Sequence, residues 1–299
     1  MSGRVVSALT ALTLGLSAAA GWAQAPSSTL AKIAETGTIR LGYSPEDIPF
    51  SYKLPDGTVT GYSTDLCLRV VDHLKERLGL AALAIDYVER TPRNRVAMLR
   101  DGALDIECVA STNNAERRKS VAFSYSHFVT GTKFVSLTKN NLRTMADLTG
   151  HTVVATSGTT NIGQLATANR ERGLHIAVMP VETHKDAFKL VTEGRASAFV
   201  MDGILLAAMV ASSDQPGDYV LSSDSLGWPE PYGLMVRRED TEFLDAVNAA
   251  LLQIYSSGEI NSIYDKWFTQ PIPPNGINMH LPMSEELRQA FSNPSIPKD

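Results

Sequence analysis

Strand-like and helix-like segments alternate along most of the chain after residue 37, and this pattern constrains the fold more than any other feature. Alternation of this kind predicts α/β construction around open sheets. One helix is capped by Ser63 or Thr64 and ends at Gly79. The other helices are predicted at 94–101, 162–172, 186–193, 241–257 and 259–268. The strands are predicted at 38–43, 84–88, 104–109, 132–137, 152–156, 175–179, 196–201 and 233–236, with a hairpin at Asp56-Gly57.

Two stretches of the chain share one pattern, which predicts two lobes of similar construction. NRVAMLRDGALDIECV (94–109) and DAFKLVTEGRASAFVM (186–201) each run from a helix through a glycine into an apolar strand. A chain of roughly this length also suits two hydrophobic cores better than one. Ligands of open α/β sheets bind beyond the carboxyl ends of the strands. We therefore look for a site after the strands that end near 43, 109, 156 and 201.

The N-terminal residues carry the pattern of a secretory signal peptide. Arg4 supplies a positive charge, residues 5–20 form an apolar run, and cleavage could follow Ala23 or Ala25. A proline follows the second position, so we expect a signal peptide of residues 1–23. No other stretch approaches the roughly 18 apolar residues of a spanning helix. The mature protein is therefore expected to be exported and soluble.

Charge and the histidine pattern exclude two kinds of partner. Removal of Arg4 with the signal peptide changes the net charge from −5 to −6, with 26 basic against 32 acidic residues. An acidic surplus argues against a nucleic-acid partner. The histidines other than His184 show no metal-ligand spacing among themselves. No metal and no other cofactor is expected.

Both cysteines, Cys67 and Cys108, remain after removal of the signal peptide. In an oxidising compartment an even number of cysteines favours a disulfide. Two buried thiols that act as small hydrophobic side chains are the alternative.

Two predicted strand ends carry groups that suit a charged small molecule. In TVVATSGTTNIG (152–163), a strand leads through small residues into the start of a helix. The free backbone N–H groups there favour an anion, and an ordinary turn capped by Thr159 is the alternative. Asp202 ends an apolar strand, where it can cap the next helix or pair with an ammonium group.

The basic run Arg117-Arg118-Lys119 follows a strand of the other predicted lobe. Most charge runs are solvated surface, and we expect this of Arg118 and Lys119. The planar fork of Arg117 suits a carboxylate held by two contacts. An arginine, a helix N-terminus and an aspartate together provide the groups needed to hold a zwitterion.

Seven stretches then make the chain recognisable: STLAKIAETGTIRLGYSPEDIPFSY, GYSTDLCLRVV, ECVASTNNAERRKSVAFS, VVATSGTTNIG, ETHKDAFKLVTEGRASAFVMD, EPYGLMVRRED and DKWFTQPIPPNGINM. In the same order, they resemble the periplasmic amino-acid-binding proteins of ABC importers, solute-binding protein family 3. Within that family the chain is most similar to the glutamate/aspartate-binding subgroup. The resemblance runs from about Ser28 to the C-terminal region.

This resemblance implies an α/β, type II periplasmic binding protein fold, in which two Rossmann-like lobes are joined by two hinge strands near 127–133 and 226–232. Lobe 1 is expected at 28–128 plus 229–299 and lobe 2 at 129–228, with the ligand enclosed by hinge closure. The implied function is that of a monomeric, non-enzymatic periplasmic protein. It captures an L-amino acid and delivers it to a membrane ABC permease. An exported enzyme of the same fold, similar to a dehydratase, and a ligand-sensing module for a receptor are the alternatives.

The resemblance also assigns roles to individual residues. Arg117 matches the family's α-carboxylate arginine, and Asp202 matches its ammonium-binding aspartate. Thr159 and Thr160 match its threonines at a helix terminus. Of the subgroup's residues that bind the side-chain carboxylate, Arg95 and His184 are present.

Three positions depart from the subgroup. Ser44 stands where the subgroup has an arginine, Pro92 where it has a serine, and Ala110 where it has another serine, with Ser111 following. We include Ser44 and Ser111 among the expected ligand-binding residues. Glutamate or aspartate is the leading expectation for the ligand, and glutamine, asparagine or another polar amino acid remains open.

Overall fold

The computed structural model describes residues 28–296, so the predicted signal peptide lies outside the described residues. The strands are β1 Thr38–Tyr43, β2 Glu46–Asp47, β3 Ser51–Lys53, β4 Val59–Thr60, β5 Ala84–Glu89, β6 Ile106–Glu107, β7 Val121–Phe123, β8 Phe128–Leu137, β9 Thr152–Thr156, β10 Ala177–Val181, β11 Ala198–Asp202, β12 Tyr219–Leu221, β13 Leu226–Tyr232 and β14 Met235–Arg237. The α-helices are α1 Thr29–Thr36, α2 Tyr62–Arg77, α3 Arg95–Arg100, α4 Ala115–Arg118, α5 Thr160–Arg172, α6 His184–Thr192, α7 Gly203–Ala211, α8 Thr241–Ser256, α9 Glu259–Phe268 and α10 Glu285–Ser292.

Two larger sheets form the centres of two lobes, and both follow one strand order. The sheet of lobe 1 has the order β5-β1-β6-β14-β7, and the sheet of lobe 2 has the order β10-β9-β11-β8-β12. In each sheet the first three strands are parallel, and the fourth is antiparallel to the third. The predicted α/β fold of two Rossmann-like lobes is therefore confirmed.

Two strands connect the lobes side by side. The first part of β8 pairs with β13 in antiparallel register, from Phe128 opposite Tyr232 to Thr132 opposite Leu226. β8 carries the chain into the second sheet, and β14 begins in the first sheet soon after β13 ends. These strands coincide with the two expected hinge segments. The division of the lobes at 128/129 and 228/229 stays a prediction.

Two local features can be compared with their predictions: the turn between β3 and β4, which is predicted correctly, and the start of α2, which is not. The Asp56-Gly57 turn joins antiparallel β3 and β4, as predicted, and Gly57 has a φ of +91°. Helix α2 begins at Tyr62, although we expected Ser63 or Thr64 to cap it. The carbonyls of Pro49 and Phe50 accept the first backbone N–H groups of α2 instead, so no side-chain cap is needed.

The strand predicted at 175–179 begins two residues later, as β10. The reason is the backbone of His175, which has a φ of +52° and so cannot lie in an extended strand. The strand ends at Val181, and two residues separate it from the start of α6 at His184.

The expected disulfide between Cys67 and Cys108 is formed, with Cα atoms 6.1 Å apart. It joins the buried face of α2 to the residue that follows β6. The alternative of two free thiols is wrong. Because the segment after Cys108 leads to the site described below, the disulfide fixes one wall of that site.

An aromatic cluster lies beside the connecting strands. Phe50 is fully buried and packs edge-on against Tyr62, Phe128 and Tyr232. Edge-on ring pairs of this kind stabilise the fold by more than the area they bury.

Within residues 28–296, no helix is long and apolar enough to cross a membrane.

Candidate functional site

A small cavity lies where the carboxyl ends of the strands of the two sheets face each other. Lobe 1 lines it with Asp47, Arg90, Pro92, Arg95, Ala110, Thr112 and Arg117, and lobe 2 lines it with Thr159, Thr160, Asn161, His184, Met201 and Asp202. A larger and mostly apolar depression on the rim includes Ile48, Phe188 and Tyr219. We place the site in the smaller cavity because charged side chains from both lobes converge there.

Six of the eight expected ligand-binding residues line this cavity, and two do not. Ser44 is buried, and its hydroxyl lies 3.4 Å from the backbone N–H of Glu46, which donates to it. Ser111 donates to Oε2 of Glu107 at 2.6 Å and accepts from Nη1 of Arg95 at 2.9 Å. Ser111 therefore holds Arg95 in place, and neither serine is part of the cavity wall.

Arg117 sits in the short helix α4, which its neighbour Asn114 caps through a bond to the backbone N–H of Arg117 at 2.9 Å. Nη1 of Arg117 donates to the carbonyl of Thr112 at 2.9 Å, and Nη2 lies 3.5 Å from the carbonyl of Gly158 in lobe 2. Burial lowers the pKa of Arg117, and the carboxylate of Glu107 opposes that shift. A desolvated guanidinium of this kind is stabilised by an anion.

The other two residues of the basic run, Arg118 and Lys119, differ in solvent exposure. Lys119 is exposed and pairs with Glu116 at 2.5 Å, as expected of a solvated side chain. Arg118 is half-buried, and its Nη1 donates to Asn113 at 2.6 Å. Arg118 is therefore only partly solvated, and its guanidinium is engaged by the side chain of Asn113.

Asp202 is the last residue of β11 and precedes α7, but its side chain makes no bond to the start of that helix. Its Oδ1 accepts from Nδ2 of Asn161 at 2.8 Å, and its Oδ2 accepts from the hydroxyl of Tyr232. The alternative of a helix cap is therefore wrong. Asp202 is 3% exposed and lies in the cavity wall. Each of its two carboxylate oxygens accepts a hydrogen bond from a neutral donor.

The start of α5 supplies backbone N–H groups on the same side. Thr159 is the N-cap residue, and its hydroxyl accepts from the backbone N–H of Ile162 at 3.4 Å. The same hydroxyl donates to the carbonyl of Thr156 at 2.8 Å. The cap predicted for Thr159 is confirmed. The first N–H groups of a helix carry partial positive charge, which favours an anion beside Thr160.

His184 begins α6 and touches both lobes. Nδ1 of its ring lies 2.8 Å from Oγ1 of Thr156, and Nε2 lies 3.7 Å from Oδ1 of Asp47. Its backbone N–H donates to Oε1 of Glu46, in lobe 1, at 2.8 Å. The ring is 4% exposed and forms part of the cavity wall.

Sequence reasoning missed three buried charged residues, Asp47, Arg90 and Glu107. Arg90 follows β5 directly, is 2% exposed and lies in the cavity wall with Asp47. Its Nη2 is 3.2 Å from Oδ2 of Asp47, and its Nε is 2.7 Å from Oε1 of Glu107. The sequence held a signal for Arg90 and Glu107, which lie at the carboxyl ends of β5 and β6, where ligands of α/β sheets bind. Asp47 ends β2, in the separate three-stranded sheet.

Arg95 completes the positive charge of the cavity. Its Nη1 lies 3.8 Å from Oε1 of Glu107, and its Nη2 donates to the carbonyl of Gly158 at 3.3 Å. Burial, followed by the nearby charge of Arg117, lowers the pKa of Arg95 to about 9. The side chain therefore keeps its positive charge at neutral pH.

Glu230 lies on β13 behind the cavity and is 2% exposed. Its Oε1 accepts from Nε2 of Gln164 at 2.7 Å. Burial, followed by the charge of Asp202, raises the pKa of Glu230 to about 9. Glu230 is therefore neutral at pH 7.

Glu46, Asp47 and His184 bring their ligand atoms within 4.8 Å of one another, which is close enough to share a cation. Each group already has another partner. Oε1 and Oε2 of Glu46 accept from the backbone N–H groups of His184 and Lys185, and Oδ2 of Asp47 pairs with Arg90. Both oxygens of Glu46 and one of Asp47 are therefore engaged, whereas Oδ1 of Asp47 has no hydrogen-bond partner.

Residues 39–270 match the family described as bacterial extracellular solute-binding proteins, family 3. The L-glutamate/L-aspartate-binding protein of Pseudomonas aeruginosa is 41% identical over 96% of this chain and 95% of its own length. The glutamate/aspartate import solute-binding protein of Escherichia coli strain K12 is 36% identical over 95% of this chain and 94% of its own length.

Two solved structures are similar over most of their length. A mutant of ArgBP from T. maritima has a TM-score of 0.70 at 30% identity, covering 80% of this chain and 98% of that one. The ancestral amino acid-binding protein AncCDT-1, a precursor of cyclohexadienyl dehydratase, has a TM-score of 0.69 at 28% identity, covering 81% and 100%. Both curated relatives are binding proteins. By family match, by identity along nearly the whole chain and by fold, this protein belongs to the bacterial extracellular solute-binding proteins of family 3.

Proposed function

We propose that this protein captures an L-amino acid between its two lobes and delivers it to an ABC permease. The observation that carries the proposal is the placement of Arg117 and Asp202 on opposite lobes around one cavity. A guanidinium and a carboxylate that face one cavity are complementary to the two charges of an α-amino acid. Neither group can hold the ligand fully until the lobes close, so capture and closure are coupled.

In this proposal the α-carboxylate binds Arg117 and the backbone N–H groups at the start of α5, beside Thr159 and Thr160. The ammonium group binds Asp202, whose orientation Asn161 and Tyr232 fix. Preorganised partners of this kind reduce the free energy that binding must spend on ordering side chains.

The side chain of the ligand then extends toward Arg95 and His184. The names of the Pseudomonas and Escherichia relatives make glutamate and aspartate the first ligands to test. Ser44 and Ala110 differ from that subgroup, so glutamine, asparagine and other polar amino acids belong in the same test.

We further propose that the protein works in the periplasm as a monomer, after removal of residues 1–23. Lobe 1 (28–128 and 229–299) and lobe 2 (129–228) move as units about β8 and β13, and the closed form is the one that docks on the permease. The Escherichia coli relative, which is named as a glutamate/aspartate import protein, supports the transport function.

Calorimetry of the exported protein with each of the twenty L-amino acids tests the proposal. At least one polar amino acid should bind with a dissociation constant near 1 μM, about −8 kcal/mol. Arg117→Ala should abolish binding, and Lys119→Ala, which removes an exposed charge two residues away, should leave it unchanged. If the protein binds none of the twenty, or if Arg117→Ala binds within a few-fold of wild type, the proposal is wrong.

Binding without turnover separates this function from that of an enzyme with the same fold. After prolonged incubation with stoichiometric protein, the ligand should be recovered unchanged by mass spectrometry. A product that accumulates would favour a catalytic function instead, as in a dehydratase.

A further inference from the structure

Four buried polar atoms of Asp47, Arg90 and Glu107 have no hydrogen-bond partner, and two of these, Nε of Arg90 and Oε1 of Glu107, form an ion pair at 2.7 Å. The other two lie at one end of the cavity. Nη1 of Arg90 is a donor and Oδ1 of Asp47 is an acceptor, and both are inaccessible to solvent. The nearest ring atom to Oδ1 of Asp47 is Nε2 of His184 at 3.7 Å, which is too long for a hydrogen bond. Both residues line the cavity, on the side of Arg95 and His184. Buried polar groups are almost always paired, so these two atoms call for a ligand group.

The charges at this end of the cavity balance one another. Arg90 pairs with Asp47 at 3.2 Å and with Glu107 at 2.7 Å, and Arg95 lies 3.8 Å from the same Glu107. Two guanidinium groups thus face two carboxylates. Arg117 lies beside Arg95, since both approach the carbonyl of Gly158. In the proposed function Arg117 and Asp202 are the groups that balance the two charges of an α-amino acid.

A second carboxylate on the ligand would disturb that balance. It would lie against Asp47, and buried like charges repel strongly at contact distance. Position 44, in the loop after β1, is a serine that supplies no positive charge and lies outside the cavity wall. Arg90 supplies a guanidinium from the neighbouring strand, but Asp47 and Glu107 already neutralise it.

We infer that this end of the cavity is built for a carboxamide, so that glutamine or asparagine binds in preference to glutamate or aspartate. The amide oxygen accepts from Nη1 of Arg90, and the amide NH₂ donates to Oδ1 of Asp47. A neutral group that both donates and accepts satisfies both unpaired atoms and leaves the charge balance intact. Asp47 is then the residue that rejects the acidic ligand. This inference rests on the proposed function, since it concerns the side chain of the same amino acid.

The test compares the four ligands by calorimetry at pH 7.5. One of the two amides should bind wild-type protein at least tenfold more tightly than the acid of the same length. Asp47→Asn removes the negative charge with little change in shape, and its side-chain NH₂ can donate to a carboxylate. It should shift the ratio of amide to acid affinity toward the acid by at least tenfold. Asp56→Asn, at the exposed β3–β4 turn, should leave the ratio unchanged.

Asp47 also pairs with Arg90, so the folding of the variant is checked by its thermal unfolding. Arg90→Gln serves as a second variant. It should lower the affinity for the amide at least tenfold, because it removes the proposed donor to the amide oxygen, and it should not improve binding of the acid, because it leaves Asp47 and Glu107 without their positive partner. If wild-type protein prefers glutamate or aspartate, or if Asp47→Asn folds and leaves the ratio unchanged, the inference is wrong while the proposed function stands. If wild-type protein binds no amino acid at all, the proposed function itself fails.

Discussion

The carbonyl of Gly158 in lobe 2 accepts a hydrogen bond from Nη2 of Arg95 in lobe 1, with 3.3 Å between the two atoms. The contact is close because Gly158 has no side chain. A β-carbon built on Gly158 would lie 2.7 Å from the carbonyl oxygen of Pro92, which also belongs to lobe 1. At the rim of the cavity, the backbone of Gly158 in lobe 2 therefore lies directly against the backbone of Pro92 in lobe 1, with no room for a side chain between them.

We expect Gly158→Ala to oppose closure of the lobes. The methyl group would meet backbone of the other lobe, which cannot move aside as a side chain can, so ligand affinity should fall at least tenfold. A φ of +80° adds about 1–2 kcal/mol of strain to any L-residue there. Calorimetry and the radius of gyration by X-ray scattering, both at saturating ligand, measure the effect.

Gly173→Ala separates closure from backbone strain. Gly173 has a similar φ of +61° and also lies in lobe 2, but a β-carbon added to it would meet no atom within 4 Å outside its own stretch of chain. Gly173→Ala should lower the free energy of unfolding by about as much as Gly158→Ala does, and it should leave ligand affinity unchanged. Equal affinities of the two alanine variants would contradict a role for Gly158 in closure.

The sequence predicted the parts of the site that depend on strand ends and on a resemblance. Arg117 and Asp202 follow strands of different lobes, and open α/β sheets bring such positions to one cleft. The buried network of Asp47, Arg90 and Glu107 was missed, because each residue gains its partner only when two strands and a loop pack together. Ser44 is expected in the cavity only through the resemblance, whereas its hydroxyl accepts from the backbone N–H of Glu46 in the loop after β1.

Glu230 predicts a fall of stability at alkaline pH. Burial and the charge of Asp202 raise its pKa to about 9 in the folded protein, whereas the ordinary value is 4.5. The folded state therefore holds a proton that the unfolded state releases, and stability decreases as pH rises between these values. Urea unfolding at pH 7.0, 8.0 and 9.0 should show a decrease in wild-type protein and a flatter profile in Glu230→Gln.

This pH range isolates Glu230 from the buried imidazole of His127. Burial lowers the pKa of His127 to about 3, so its contribution to stability is complete above about 6.5 and is lost as the pH falls below that. Glu239→Gln removes an exposed carboxylate and should leave the wild-type profile unchanged. A wild-type profile that stays flat from pH 7.0 to 9.0 would show that Glu230 is already ionised.

The disulfide should contribute strongly to the stability of lobe 1. Cys67 and Cys108 are 41 residues apart, and closing a loop of this size restricts the unfolded chain. We expect the double variant Cys67→Ala, Cys108→Ala to lose about 2–4 kcal/mol of unfolding free energy in urea. Reduction of wild-type protein should give a similar loss, and the double variant should not respond to reductant. Equal urea midpoints for oxidised and reduced wild-type protein would contradict a stabilising role of the disulfide.

Glu46 should help to hold the lobes closed. It lies in lobe 1, and its carboxylate accepts the backbone N–H groups of His184 at 2.8 Å and Lys185 at 3.3 Å, at the start of α6 in lobe 2. A carboxylate at a helix N-terminus contributes about 1 kcal/mol. Glu46→Ala should therefore weaken ligand binding about fivefold and increase the radius of gyration of the unliganded protein.

Glu182→Gln provides the matched control for Glu46→Ala. It breaks another contact between the lobes, the pair of Arg93 and Glu182, whose side chains are 69% and 64% exposed. Exposed pairs contribute little, so affinity should change less than twofold. If the two variants weaken binding equally, the helix contact of Glu46 has no special role in closure.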